Sequence, residues 1–187
     1  MQNSDRNIAG PYDSKDLNAP LEVANFGSIS FTPNSLVSVR AEVEQESGKM
    51  IAIAFDYKQS SLQVQAFSSP KGASIWNEVV EDISNSLMSQ GVRVESQVGA
   101  FGLELIAELP DQSLKSSTVR MFGYGGDRWL LRGTIVGAAV SEIDERAFLE
   151  DIFRGIVVNR GETPMPPREL LPLELPAGAI VPKGSLD

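Results

Sequence analysis

In the first third of the chain, hydrophobic and polar side chains alternate with a period of two. Such alternation places every second side chain on the same face of an extended backbone, so it predicts half-buried β-strands. The runs 37–44, 50–57 and 62–67 follow this pattern. The segment 46–49 between the first two contains Gly48, which is typical of a hairpin loop. We therefore expect a meander of antiparallel strands.

The period changes after this meander, where hydrophobic side chains recur at about every fourth position. That spacing predicts an amphipathic helix, with Ser74 as its N-cap and Gly91 as its C-terminal stop. The apolar stripe of the predicted helix consists of Ile75, Val79, Ile83 and Leu87.

A second set of strands and a second helix follow. Alternating runs occupy 92–98, 103–109, 118–124 and 128–136. We expect the last two to form a hairpin around Gly125-Gly126, in which Phe122 pairs with Trp129. The second helix is predicted for 142–155, where Ser141 and Asp144 resemble a capping box.

The order meander, helix, meander, helix predicts an α+β fold. We expect a curved antiparallel sheet with two helices packed against it. Along the chain we expect an irregular acidic leader over 1–20, a single α+β domain over 21–160 and an extended proline-rich arm over 161–187. A chain of 187 residues is long enough to bury a hydrophobic core without disulfide bonds.

The proline-rich arm has two interpretations. Prolines fix φ and cannot donate to a sheet, so an extended conformation is expected, with a disordered end. The string Pro164-Met165-Pro166-Pro167 has the P-x-x-P spacing that aromatic grooves bind. The favoured alternative is that the arm lies across this protein's own sheet, or a neighbour's, and closes an edge. Exchange of the arm between two copies would give a symmetric dimer.

The composition excludes several classes of chemistry. The chain contains no histidine and no cysteine, so thiol catalysis, Ser-His-Asp hydrolysis and ordinary zinc sites are excluded. Carboxylate pairs such as Glu104/Glu108 and Glu81/Asp82 are expected on solvated faces rather than across a catalytic cleft. We expect no metal, no cofactor and no enzymatic activity.

The formal net charge of −9 bears on the partners. Nucleic acids and anionic membranes attract clustered lysine and arginine, so neither is expected to bind this chain. No apolar run approaches the roughly 20 residues of a membrane span, and the start of the chain lacks the apolar core of a signal peptide. We therefore expect a cytoplasmic location.

Arg120, Arg128 and Arg132 lie close together in this acidic chain. Arg128 and Arg132 are four residues apart on one predicted strand, so we expect them on the same face. Guanidinium groups match carboxylates and phosphates in shape, which makes this cluster a candidate site for an anion or an acidic peptide. The alternative is that these arginines pair with the 25 acidic residues of the same chain.

Several strings of the chain resemble a known family. They are GPYD (10–13), SSPKGASIWNEV (68–79), GAFGLEL (99–105), GGDRWLLRG (125–133) and FRGIVVNRGETPMPPRELLPLELP (153–176). In order and spacing they resemble an uncharacterised actinobacterial domain of unknown function, which implies a cytoplasmic protein without an established activity. The element order also resembles the Mog1/PsbP-like sandwich, a fold used for binding and assembly.

From these observations we predict a non-enzymatic cytoplasmic protein that acts as a protein-interaction or accessory module. The alternative is a small-ligand or anion-binding protein, or an enzyme that uses arginine and carboxylates. We expect an unidentified protein partner, and a homodimer through the C-terminal arm is a further possibility. The candidate binding residues, some of which alternatively hold the arm in place, are Arg128, Trp129, Arg132, Arg154, Arg160 and Arg168.

Overall fold

The structure, a computed structural model, describes residues 10–17, 23–110 and 116–177. Most of the predicted leader and the end of the arm lie outside these residues. The strands are β1 (Tyr12–Asp13), β2 (Ala24–Asn25), β3 (Ile29–Phe31), β4 (Ser38–Val43), β5 (Met50–Tyr57), β6 (Ser60–Ser68), β7 (Val94–Gly99), β8 (Gly102–Pro110), β9 (Ser116–Gly125), β10 (Trp129–Gly137) and β11 (Val157–Val158). The α-helices are α1 (Trp76–Ser89) and α2 (Ile143–Arg154).

The main sheet has seven antiparallel strands in the order β4-β5-β6-β10-β9-β8-β7. The meander β4–β6 and the meander β7–β10 join where β6 pairs with β10, from Trp129 opposite Ser68 to Gly137 opposite Ser60. The prediction of an α+β fold with antiparallel strands and two helices is confirmed.

A second sheet, in the order β1-β11-β3-β2, packs on one face of the main one. Its strand β1 comes from the segment that we expected to be an irregular leader, and it pairs in parallel with β11, with Tyr12 opposite Val157. Strand β11 in turn pairs with β3. The leader is therefore part of the folded domain at this point.

One face of the main sheet carries the larger core. Helix α2 and the second sheet cover this face, and an aromatic cluster lies at its centre. The ring centroids of Phe101, Phe122 and Phe153 are 4.8 to 5.2 Å apart in each pair. Contacts of this kind add to the free energy gained by burying the rings.

Helix α1 packs on the opposite face, over β8 and β9. The indole of Trp76 lies directly on Gly123, because a Cβ at that position would lie 2.5 Å from the ring. The Trp76 Nε1 donates a hydrogen bond of 2.7 Å to the carbonyl of Leu103. The β4–β6 half of this face instead carries polar side chains such as Gln63 and Gln65.

Both predicted N-terminal helix caps are wrong. Helix α1 is preceded by Ile75, which makes no capping bond, because Ser74 lies against Gly125 of the neighbouring hairpin. The N-cap of α2 is Glu142, and its side chain makes no capping bond either. The Ser141 hydroxyl donates instead to the carbonyl of Ala138 in the preceding 3-10 turn. Neither helix, nor any other in the described ranges, is long and apolar enough to cross a membrane.

The proline-rich arm lies along the chain's own strand β6. The amide of Leu171 donates to the carbonyl of Ala66, and the amide of Arg168 donates to the carbonyl of Ser68, both at 2.8 Å. Leu171 is buried in the main core. Further along, the amide of Ser28 donates to the carbonyl of Pro172, so the arm also joins the second sheet to the main one.

A buried hydrogen bond fixes the beginning of the described chain. The Trp129 side chain is 1% exposed, and its Nε1 donates to the Asp13 carboxylate at 2.8 Å. The other carboxylate oxygen of Asp13 accepts from the amide of Lys15 at 2.9 Å. A carboxylate with two donors tolerates burial, and here it attaches β1 to the main sheet.

We predict that Trp129→Phe destabilises the fold by about 1–3 kcal/mol, because a buried carboxylate loses a donor. Hydrogen exchange at residues 12 and 13 should accelerate more than exchange in the most protected strands. Trp76→Phe is the matched control, since it loses an indole hydrogen bond on the opposite face. Equal acceleration at residues 12 and 13 in both variants would contradict the role of Trp129.

Candidate functional site

The structure does not bring the six candidate residues together. Trp129 and Arg160 are buried, at 1% and 6% exposure. The Arg160 guanidinium donates to the carbonyls of Arg128 and Thr163, at 3.1 and 3.0 Å. In the structure, both residues join segments of the same chain.

The hairpin register also differs from the prediction. Phe122 lies opposite Gly133, and Trp129 lies opposite Ser68 of β6. The turn consists of Asp127 and Arg128 instead of Gly125-Gly126, since the amide of Gly126 bonds to the carbonyl of Trp129. Arg128 lies in this turn with a φ of +65°, so it does not share a strand face with Arg132.

Two more candidates form ion pairs within the chain. Arg154, at the end of α2, pairs with Asp151 at 2.7 Å and stacks over the Phe101 ring at 4.9 Å. Arg168, in the arm, pairs with Asp82 at 2.5 Å and with Glu78 at 3.4 Å. Because Asp82 and Glu78 belong to α1, Arg168 attaches the arm to that helix. Both pairs are partly exposed and contribute little to stability.

Arg132 differs from Arg154 and Arg168, because it forms no ion pair with a described residue. It projects from β10 on the α1 face, and its Nη2 donates to the side-chain oxygen of Gln65. The Gln65 amide is fixed in this orientation because its nitrogen donates to the carbonyl of Ile51 at 3.1 Å. The guanidinium also lies 5.1 Å from the centre of the Phe67 ring.

The charge of Arg132 has no counterion in the described part of the chain. Burial lowers the pKa of its guanidinium, and no carboxylate there opposes this shift. Its Nε is buried without an acceptor among the described residues. A partly desolvated cation with one neutral partner is costly, because burial of a charge is normally offset by pairing.

Neighbouring polar groups on the same half-sheet are paired with one another. Arg40 of β4 donates to both carboxylate oxygens of Asp56 on β5. The Gln63 amide donates to the Glu42 carboxylate. Both carboxylates are therefore engaged, and Arg132 keeps an unneutralised charge.

Arg132 lines a groove between α1 and the arm. The groove has a volume of about 210 Å³. Its walls are mainly apolar and its rim carries the ion pair between Arg168 and Asp82; the remaining lining residues are Phe67, Ile75, Val79, Ile83 and Leu130. The groove thus combines an apolar surface with one cation, which is the combination that binds an anionic group attached to an apolar body.

A larger, more polar cleft lies at the end of the β9–β10 hairpin. It has a volume of about 510 Å³ and is bounded by residues 11–16, 72–74 and 124–129. Its charged residues are Asp13, Lys15, Asp16 and Asp127. Asp13 is occupied by the hydrogen bond from Trp129. Among the described residues, no group of three or more acidic side chains has the spacing of a metal site.

The most deeply buried ion pair was not expected from the sequence. Glu104 is fully buried, and it accepts a hydrogen bond from Arg120, which is 6% exposed. The prediction that Glu104 lies on a solvated face is wrong. Space for its carboxylate comes from Gly99, where a Cβ would lie 1.8 Å from Glu104 Oε1. Arg120 also donates to the carbonyl of Val140 at 3.2 Å, so this arginine of the predicted cluster is structural.

A second carboxylate lies near this pair. Burial, and then repulsion by Glu104, raises the pKa of Glu150 above its ordinary value. Arg146, Arg154 and Arg120 act in the opposite direction without cancelling the shift. Ionisation of Glu150 therefore costs free energy in the folded state.

A comparison with protein-family models matches residues 10–180 to DUF3710, which is described as a protein of unknown function. No curated protein and no solved structure matches the chain.

We predict that Glu150→Gln stabilises the protein increasingly as the pH rises. The folded-state pKa of Glu150 is raised, so its stabilising contribution is complete below the unfolded-state pKa and is lost as the pH rises through the folded-state value. Glutamine does not ionise and escapes this loss. Unfolding by denaturant between about pH 4 and pH 7 measures the difference. A difference between variant and wild type that stays constant over this range would contradict the assignment.

Proposed function

The chain belongs to the DUF3710 family, and because the description of that family assigns no activity, we propose a function from the site geometry. We propose that the protein is a non-enzymatic, cytoplasmic protein-interaction module. Its binding site is the groove between α1 and the arm, where Arg132 contacts an anionic group of the partner.

The unneutralised charge of Arg132 carries this proposal. A partner that supplies a carboxylate would complete the pairing that the chain itself lacks, and would also cover the apolar walls formed by residues such as Phe67 and Val79. Arginine is enriched at binding hot spots for this reason: a desolvated guanidinium gains strongly from a matched anion.

The residues around the groove favour binding over catalysis. Its carboxylate, Asp82, is engaged by Arg168 at the rim. Histidine and cysteine are absent from the sequence, so no imidazole or thiol is available as a base or nucleophile. The carboxylate with a raised pKa, Glu150, belongs to α2, which packs on the opposite face of the main sheet.

Other parts of the predicted function remain proposals. The net charge of −9 supports a partner other than nucleic acid. The arm lies on its own β6, and an exchanged arm would make the same contacts between two copies, so a homodimer remains a prediction. The cytoplasmic location rests on the composition and on the resemblance to an actinobacterial family.

Small-ligand binding is the second candidate, and the polar cleft of about 510 Å³ favours it. Pockets that enclose small molecules have volumes of about 300–1,000 Å³, so the cleft has the required size. A ligand bound there would not depend on Arg132, which does not line this cleft.

Affinity capture from native lysate tests the proposal, with wild type, Arg132→Met and Arg93→Met as baits. Methionine keeps an unbranched apolar side chain and removes the charge. Arg93 is an exposed arginine that pairs with Glu95 far from the groove, so Arg93→Met is the matched control. Circular dichroism establishes that each bait is folded.

We expect a protein that wild type and Arg93→Met both retain and that Arg132→Met loses at least about tenfold, the cost of one charge-assisted hydrogen bond. Identical capture by all three baits would contradict the proposal. A small molecule that co-purifies with all three, without a specific protein, would favour the polar cleft.

A further inference from the structure

We propose that the groove between α1 and the arm binds the carboxy-terminal residue of a partner protein whose last side chain is apolar. The terminal carboxylate would pair with Arg132, and the side chain would lie against Phe67, Val79 and Leu130. This inference rests on the proposed function and specifies the part of the partner that is recognised.

The size of the groove limits the occupant. Its volume of about 210 Å³ is below the roughly 300–1,000 Å³ of pockets that enclose drug-sized ligands. Such a space admits one large side chain with its adjoining backbone, and it does not admit a helix laid along it. A single residue must therefore supply both the apolar group and the anion.

The charges at the rim of the groove limit the number of negative charges that the bound ligand can carry. Asp82 and Glu78 of α1 surround Arg168 at the edge of the groove, and Glu81 is next to them in sequence. An acidic stretch of a partner would meet these carboxylates, and like charges repel. Arg132 is the cation of this groove without a carboxylate partner among the described residues. The complementary ligand carries one negative charge on an otherwise uncharged segment.

A carboxy-terminal residue meets both limits. Its carboxylate and its side chain are attached to the same Cα, so one residue presents both groups within a few ångströms. An internal aspartate or glutamate supplies the anion but fills the apolar space less well, and its chain continues in both directions past the acidic rim. Capture of terminal carboxylates is a recurring mode of peptide recognition.

Arg132 and Gln65 provide the geometry for such capture. The Gln65 side chain fixes one edge of the guanidinium, because its oxygen accepts from Nη2 and its nitrogen is tied to the carbonyl of Ile51. The Nε of Arg132 has no acceptor among the described residues. A guanidinium already held in position loses less conformational entropy when a carboxylate binds.

Titration of the ¹⁵N-labelled full chain with synthetic peptides tests the inference. The probes are Gly-Ser-Gly-Ser-Gly-Leu with a free carboxylate, the same peptide as its carboxy-terminal amide, the peptide with Asp in place of Leu, and N-acetyl-leucine alone. The readouts are the Nε–H signal of Arg132 and the backbone amides of Gln65, Phe67 and Leu130. Arg132→Met, Arg132→Lys and the control Arg93→Met are titrated in parallel.

We expect the free-carboxylate leucine peptide to shift these signals and the amidated peptide to bind roughly 10- to 100-fold more weakly. The Asp peptide should also bind more weakly, because it adds a charge and removes the apolar group. Arg132→Met should abolish binding, Arg132→Lys should weaken it, and Arg93→Met should leave it unchanged.

Equal binding of the free and amidated peptides would overturn the inference, as would the absence of any shift with all peptides. N-acetyl-leucine that binds as tightly as the peptide would also overturn it, and would assign the groove to a small apolar acid. The proposed function is tested separately: Arg132-dependent capture of a protein together with negative peptide titrations would retain the interaction module and reject the carboxy-terminal mode.

Discussion

The position of strand β6 in the interior of the main sheet is the constraint on which the other features depend. An interior strand must pair along both edges, because buried backbone groups without partners are costly. Strand β10 pairs along one edge of β6 over its whole length. Strand β5 pairs along the other edge only as far as Val64. Beyond that point the arm pairs with β6 instead, at Ala66 and Ser68. The arm is therefore part of the sheet, and the same pairing places it opposite α1, where the two enclose the groove.

Two arginines show how the same side chain serves different purposes in this fold. Arg120 is buried with a carboxylate partner, Glu104, in a cavity that Gly99 leaves open. Arg132 is partly buried with an amide and a ring as its neighbours, and with no carboxylate among the described residues. Removal of Arg120 would leave the buried carboxylate of Glu104 without its counterion. Removal of Arg132 would leave no carboxylate among the described residues in this state. A buried side chain that destabilises the fold and has no compensating partner within the chain is typical of a binding site.

The sequence predicted local structure better than long-range contacts. Alternation located the strands of both meanders, since each exposes one face to a core and the period of two is visible in the residues themselves. It could not reveal that β6 pairs with β10 or that β1 pairs with β11, because these contacts join distant segments without a local signal. Glu104 occupies what alternation marks as a polar position, and only its partner on β9 explains why it is buried. Of the candidate site, the sequence identified Arg132 but not its groove, whose walls come from β6, β10, α1 and the arm.

The free energy of unfolding of Arg132→Met, measured by denaturant titration beside wild type and Arg120→Met, tests most directly whether Arg132 serves binding or folding. If it serves binding, Arg132→Met is as stable as wild type within about 1 kcal/mol, or more stable, because no buried partner loses its counterion. Arg120→Met provides the scale, since breaking a buried ion pair costs about 3–5 kcal/mol. A loss of that size in Arg132→Met would contradict the account, because it would show that the guanidinium holds the sheet together.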